Sequence, residues 1–292
     1  MEIIDKIVFG DNQFFGINHM SQEKAQQLSE MFYDLSSIIK VYDLVYDSGI
    51  RGIMLNSNDR AADICNYFKN NSSKYPDLSW YPSIPYPHKY ANIISEKGII
   101  PTINEVLFKD NSALGIIGLM AKGGAAVFGK DAVKLMQMLI DMEMKMFKGL
   151  NIKVIFLQNI ITDLLLGYDL KDLFYEYCIY IKKKYKVLPG LITQNMPMLK
   201  SKLEIWGIEE VVVCSSFNKI GYLMSPDIES YTKAAFNNDP SKYQLMAMST
   251  LASGAIPAKE AYEFINRQNV QSVVFGASSK KHIDETVSLI NK

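Results

Sequence analysis

The sequence predicts an α/β chain folded as one (β/α)8 TIM barrel, and three observations carry that prediction. Strand-length apolar runs alternate with helical patterns eight times along the chain, the order a parallel barrel requires. Residues 243–292 spell two βα units in succession, each strand followed by small polar residues, which is how parallel neighbours are joined. No GxGxxG turn follows the first strand, although a doubly wound dinucleotide-binding sheet would carry one there. No linker or shift of composition divides the chain, so residues 1–292 read as a single domain.

The elements follow in order. Lys6–Phe9 ("KIVF") is the first strand, ahead of the polar loop "GDNQFFGINH". Gln22–Ser37 reads as a helix capped by Ser21, and Ile38–Asp47 as a second helical segment ending before Gly49. "GIRGIMLNSND" holds strand two, and Ala61–Phe68 the next helix. "LSWYPSIPYPHKY" holds strand three, cut short by its prolines. A helix begins at Asn92–Lys97. The segment of about 98–150 is enlarged, and within it residues 111–130 are apolar and rich in Gly and Ala, suited to a lid or to a contact surface. "KDAVKLMQMLIDMEMKMFKGLN" is a helix that stops at Gly149. "IKVIFLQN", "PGLITQN" and "EVVVCSSFN" supply strands four to six, with helices over Leu170–Lys184 and Leu199–Trp206. Strands seven (Gln244–Thr250) and eight (Val273–Phe275) precede helices over Lys259–Arg267 and from His282 onward.

Charge and cysteine usage exclude several classes of partner. Lys plus Arg equals Asp plus Glu at 31 each, so no basic field draws in nucleic acid or anionic lipid. The Lys182–Lys184 cluster sits at a helix end, where it complements the helix dipole. No apolar stretch reaches the roughly 18 residues a membrane span needs. Three scattered cysteines without CxxC or metal spacing point to a reduced, cytoplasmic chain with no metal site. "GAAVFGKD" has P-loop spacing but puts Asp131 where the Mg²⁺-binding hydroxyl belongs, so it reads as coincidence.

In a barrel the chemistry gathers at the C-terminal ends of the strands. Here those ends offer Asp11, Asn56, Asn58, His88, Lys89, Gln158, Asn159, Asn195, Ser216, Lys219, Ser249, Ser253, Ser278 and Ser279. The set is rich in amides and hydroxyls and poor in charge, which suits a small polyhydroxylated or phosphorylated ligand. Asp11 serves as a base or anchor, or forms a turn after Gly10. His88 and Lys89 form a possible acid–base pair, or an exposed loop pair. Ser278 and Ser279 face an anion, or cap a helix.

"MSTLASGAI" (248–256) and "VVFGASSKKHIDET" (273–286) resemble the closing βα units of the aldo/keto reductases, and the first strand and "DSGIRGIMLN" sit where that family's opening "GIxxxDTA" strand lies. The resemblance implies NADP or NAD held by Asn195, Ser249, Leu251, Ser253, Gly254, Gly276, Ser278 and Ser279. It also implies a catalytic group drawn from Asp11, Asn56, His88, Lys89 and Asn159. The family's Asp–Tyr–Lys–His tetrad is not matched. Asn56 stands where the Asp belongs, Gln158–Asn159 where the His belongs, and no Tyr takes the acid's place. The expected function is a nicotinamide-dependent oxidoreductase of a carbonyl or sugar-type substrate, possible as an oligomer. The alternatives are a non-redox lyase, isomerase or epimerase on a sugar phosphate, and a catalytically inert binding protein.

Overall fold

Alternation along each strand decides which residues face the barrel axis and which face the helices. In the computed structural model, which describes residues 3–15, 22–58, 60–85 and 130–292, eight parallel strands close on one another in sequence order. They are β1 (Ile7–Phe9), β2 (Gly52–Asn56), β3 (Ser79–Ile84), β4 (Val154–Leu157), β5 (Leu188–Thr193), β6 (Val211–Ser216), β7 (Tyr243–Met248) and β8 (Ser272–Phe275). β1 pairs with β8 through Ile7–Val273, Val8–Val274 and Phe9–Phe275, which shuts the barrel.

Val8, Met54, Tyr81, Val154, Phe156, Ile192, Val212, Cys214, Met246 and Val274 form one buried cluster inside the barrel. Their strand neighbours Phe9, Ile53, Leu55, Trp80, Ile155, Leu157, Leu191, Val211 and Val213 join a larger cluster with the surrounding helices. Each fully buried side chain of this size contributes about 1.5–3 kcal/mol. Cys214 is one of the inner fillers, and burial pushes its thiol up. The interior is tightly filled. A Cβ on Gly190 would lie 2.3 Å from the Phe156 ring, so β5 carries no side chain where β4 carries its largest inner one. The N-terminal end is closed by Asp5, which accepts from the Tyr81 hydroxyl at 2.6 Å and pairs with Lys153 at 3.2 Å.

Ten α-helices lie among the described residues: α1 (Gln22–Met31), α2 (Leu35–Asp47), α3 (Ala61–Asn70), α4 (Lys130–Met144), α5 (Asn159–Gly167), α6 (Lys171–Tyr180), α7 (Met196–Trp206), α8 (Ile228–Phe236), α9 (Ala258–Ile265) and α10 (Lys280–Ile290). Three differ from the expectation. The helix expected over 22–37 stops at Met31, and a new one starts at Leu35 after the extended Asp34. α5 directly follows β4, with only Gln158 between strand and helix to mark the change. α8 fills the β6–β7 connection, its start capped by Asp227, whose carboxylate accepts from the Ser230 N–H at 2.7 Å. The helix expected from Asn92 and the apolar stretch 111–129 lie outside the described residues. No described helix is long and apolar enough to cross a membrane.

Candidate active site

The inward positions turn from apolar to polar at the C-terminal mouth. Two residues beyond Met54, Tyr81 and Phe156 stand Asn56, Ser83 and Gln158 on the same strand faces. They bond to one another across the barrel. The Gln158 amide donates to the Ser83 hydroxyl at 2.6 Å and to the Asn56 side-chain carbonyl. Asn56 then donates to Asp11, from its backbone N–H at 2.9 Å and from its amide at 2.5 Å. Asn58 adds a longer contact to the same carboxylate at 3.4 Å. One connected network therefore links the ends of β1, β2, β3 and β4.

Asp11 is the ionisable group of this network and is 2% exposed. Burial pushes its carboxyl up to about 6, against the opposing pull of the Asn56 hydrogen bonds. It sits just past β1, where the carbonyl of Asp11 accepts the Phe14 N–H at 2.9 Å and opens the 3-10 turn Asn12–Phe15. The amide of Gln13 in that turn donates to the Gly10 carbonyl at 2.8 Å. Its oxygen fills the space beside Gly276, where a Cβ would fall 2.2 Å away. A side chain at position 276 would therefore displace the Gln13 amide from its place beside β8.

The other expected residues have these places. Asn159 is the first residue of α5 and is partly exposed, so the network takes Gln158 in its stead. Asn195 caps α7, accepting from the Met198 N–H at 3.1 Å. Ser279 caps α10, accepting from the His282 N–H at 3.4 Å. Lys219 pairs with Glu260 at 2.8 Å, with both side chains about half exposed. Ser215 faces the helices, bonded to the Thr193 carbonyl and to Tyr231, while Ser216 faces Ser249 at 3.2 Å. His88 and Lys89 lie outside the described residues.

Ser83 was not singled out from the sequence, hidden between the prolines of β3. Nor was Asp163 on α5, which accepts from the Thr193 hydroxyl and the Gln194 N–H and so fixes the end of β5. Burial raises its carboxyl as well.

The loop after β7 is conformationally costly. Ser249, Ala252 and Ser253 all have positive φ (53°, 46° and 57°) and Gly254 has φ 91°, at roughly 1 kcal/mol or more for each non-Gly residue. The N–H groups of Ala252, Gly254, Ala255 and Ile256 close the loop on itself. After the neighbouring strand β8, the first turn of α10 has no acidic residue and holds Lys280 and Lys281. Cations at the positive end of a helix run against its dipole, and an anion bound there reverses the sign of that interaction. Lys280 is itself paired with Asp284 at 2.6 Å. Among the described residues no His, Cys, Asp and Glu group could hold a metal ion. A cavity of about 270 Å³ lined by Lys6, Asn266, Gln271 and Lys292 lies at the opposite end of β8, away from this network.

No protein-family model matches the sequence, and no curated protein matches it. Solved structures do share its architecture. PA4992 from Pseudomonas aeruginosa, described as a candidate aldo-keto reductase, aligns at TM-score 0.57 and 12% identity, over 98% of this chain and 90% of its own. An aldo/keto reductase from Brucella melitensis aligns at 0.54 and 10%, over 99% and 90%. A chain described as a candidate 2,5-diketo-D-gluconic acid reductase B aligns at 0.52 and 9%, over 98% and 82%. What is common to all at these identities is the fold, a barrel of the aldo-keto reductase type.

Proposed function

We propose that the chain is an enzyme acting on a small polyhydroxylated carbonyl or alcohol substrate at the C-terminal mouth of the barrel, with Asp11 as its acid–base group. The observation that carries this reading is the Asp11 carboxyl, buried at the barrel mouth and held by the backbone and the amide of Asn56, with burial pushing it up to about 6. A group titrating there both gives and takes a proton near neutral pH, which an ordinary carboxyl does poorly. Asn56, Gln158 and Ser83 supply donors and acceptors for substrate hydroxyls. Neither amide can carry the proton itself. His88 and Lys89, following β3, are the candidates for a second proton carrier.

The reductase fold and the lysine-bearing first turn of α10 support an oxidoreductase. Leu251, Ser253, Gly254, Gly276, Ser278 and Ser279 would hold NADP or NAD, with Asn195 and Ser249 beside them. When bound, the nicotinamide would supply or accept a hydride. A sugar-acid carbonyl, of the kind in the name of one structural neighbour, is the substrate class to try first. The amides Asn56 and Gln158, standing where the reductase resemblance wants acids and bases, favour a second reading: a non-redox isomerase, epimerase or lyase using the same mouth.

Fluorescence titration with NADPH and NADH separates the two. Micromolar binding supports the oxidoreductase. No binding at millimolar cofactor removes it and leaves sugar phosphates as the substrates to screen. Failure of every substrate class, with Asp11→Asn indistinguishable from wild type, would leave a binding protein without chemistry.

A further inference from the structure

The helix layer beside β1 holds a hydroxyl that the proposed chemistry does not use. Tyr42 on α2 is 1% exposed. Its ring is boxed by Phe9 at 6.0 Å, Phe14 at 5.2 Å and Phe68 at 5.3 Å. Phe9 and Phe14 flank Asp11 in the chain, so the tyrosine ring packs against the segment that carries the carboxylate. Its hydroxyl is shut off from solvent and has no hydrogen-bond partner. Every ring around it is a phenylalanine, and a position needing only an aromatic plate is filled better without a stranded polar atom.

Two titratable groups act on that hydroxyl, Asp11 and Cys65. Burial pushes the Cys65 thiol up to about 12, which keeps it neutral. Among the described residues, Arg60 gives its guanidinium to the Phe32 carbonyl. Of the two titratable groups, Asp11 is the one that becomes charged near neutral pH. The phenol proton is held on, first by burial and then by the Asp11 charge.

We propose that Tyr42 is a positioning residue for Asp11, its hydroxyl donating toward the carboxylate through one water or a small shift of the Asn12–Phe15 turn. The donation stabilises the ionised carboxylate and sets the fraction of enzyme ready to accept a proton. Tyr42 acts through Asp11 and does not meet substrate, so the proposal rests on the acid–base reading of Asp11.

The test is the titration of Asp11, followed by the carbon NMR signal of its carboxyl in wild type and Tyr42→Phe. The proposal expects the midpoint to rise by about half a pH unit or more in the variant, as losing a donor to a carboxylate does. A midpoint that stays in place or falls overturns it and makes Tyr42 a core filler, whatever the melting temperature does. If Tyr42→Phe does not fold, the ring carbon bearing the Tyr42 hydroxyl decides in the wild type. That signal should follow the Asp11 midpoint and cease to do so in Asp11→Asn; a signal flat across the same range overturns the proposal. Full turnover in Asp11→Asn would remove the acid–base reading instead, and the measured coupling of the two residues would stand apart from it.

Discussion

Asn56 meets both oxygens of Asp11, its backbone N–H at 2.9 Å from one and its amide at 2.5 Å from the other. The end of β2 thus holds the carboxylate of β1 in one orientation before any substrate arrives. Replacing Asp11 by Asn keeps the shape and removes the proton carrier. Turnover should fall about 10²–10⁴-fold, the usual contribution of a positioned acid or base, while far-UV circular dichroism stays that of the wild type. Activity within a few-fold of wild type would move the chemistry elsewhere in the mouth.

The same carboxyl gives a pH signature of the opposite sign to most. Its folded-state value, about 6, lies above the ordinary 3.8, so between those values the folded chain holds a proton that the unfolded chain has lost. Asp11 therefore adds stability below about pH 4 that drains away as the pH rises through 6. At about 1.4 kcal/mol per unit the loss is on the order of 3 kcal/mol. Asp77, Asp141, Asp284 and Glu260 are depressed by their hydrogen-bonded partners and slope the other way. The difference between wild type and Asp11→Asn isolates the one group. Urea melts from pH 4 to 7 should show wild type losing ground to the variant as the pH rises; parallel curves would place Asp11 in a more solvated setting.

Much of this barrel was legible because its strands are apolar runs ending in polar residues, which is how buried parallel strands read. "VIFLQ" shows both the β4 core and the polar Gln158 that follows it. What joins Gln158 to Asn56 is not legible, because the two lie 102 residues apart and meet only when the barrel closes. Ser83 was obscured by the prolines on either side, which suggested a broken strand. α5 was missed because "NIITDLLLG" runs on from β4 with only Gln158 between them, so no turn residues separate strand from helix. Asp11 was visible as a residue but not as an acid titrating near neutrality, since that property comes from burial.

Gly190 and Phe156 test the packing of the barrel interior. An added Cβ on residue 190 would meet three ring atoms of Phe156 at 2.3–2.8 Å, and that ring is fully buried. Overpacking of this kind costs typically 1–3 kcal/mol, so Gly190→Ala should lower the melting temperature by several degrees. Adding Phe156→Leu makes room for the methyl group, and the double variant should recover more stability than the two single losses allow. Additive losses would show that the ring has space to turn away.

Ser253 makes the strained loop after β7 answerable. It is exposed, holds φ 57° and ψ 26°, and makes one long contact, 3.4 Å to the Tyr222 hydroxyl. Glycine occupies this conformation without the steric cost a side chain imposes. Ser253→Gly should therefore raise stability by about 0.5–1 kcal/mol if the loop serves only to connect β7 with α9. A side chain kept in a costly conformation is what a binding loop shows, so the same variant should weaken NADPH binding several-fold if the serine meets the cofactor. Thermal melts and a cofactor titration on one preparation give both numbers. Higher stability with unchanged affinity would withdraw Ser253 from the cofactor set and leave the first turn of α10 as the phosphate contact.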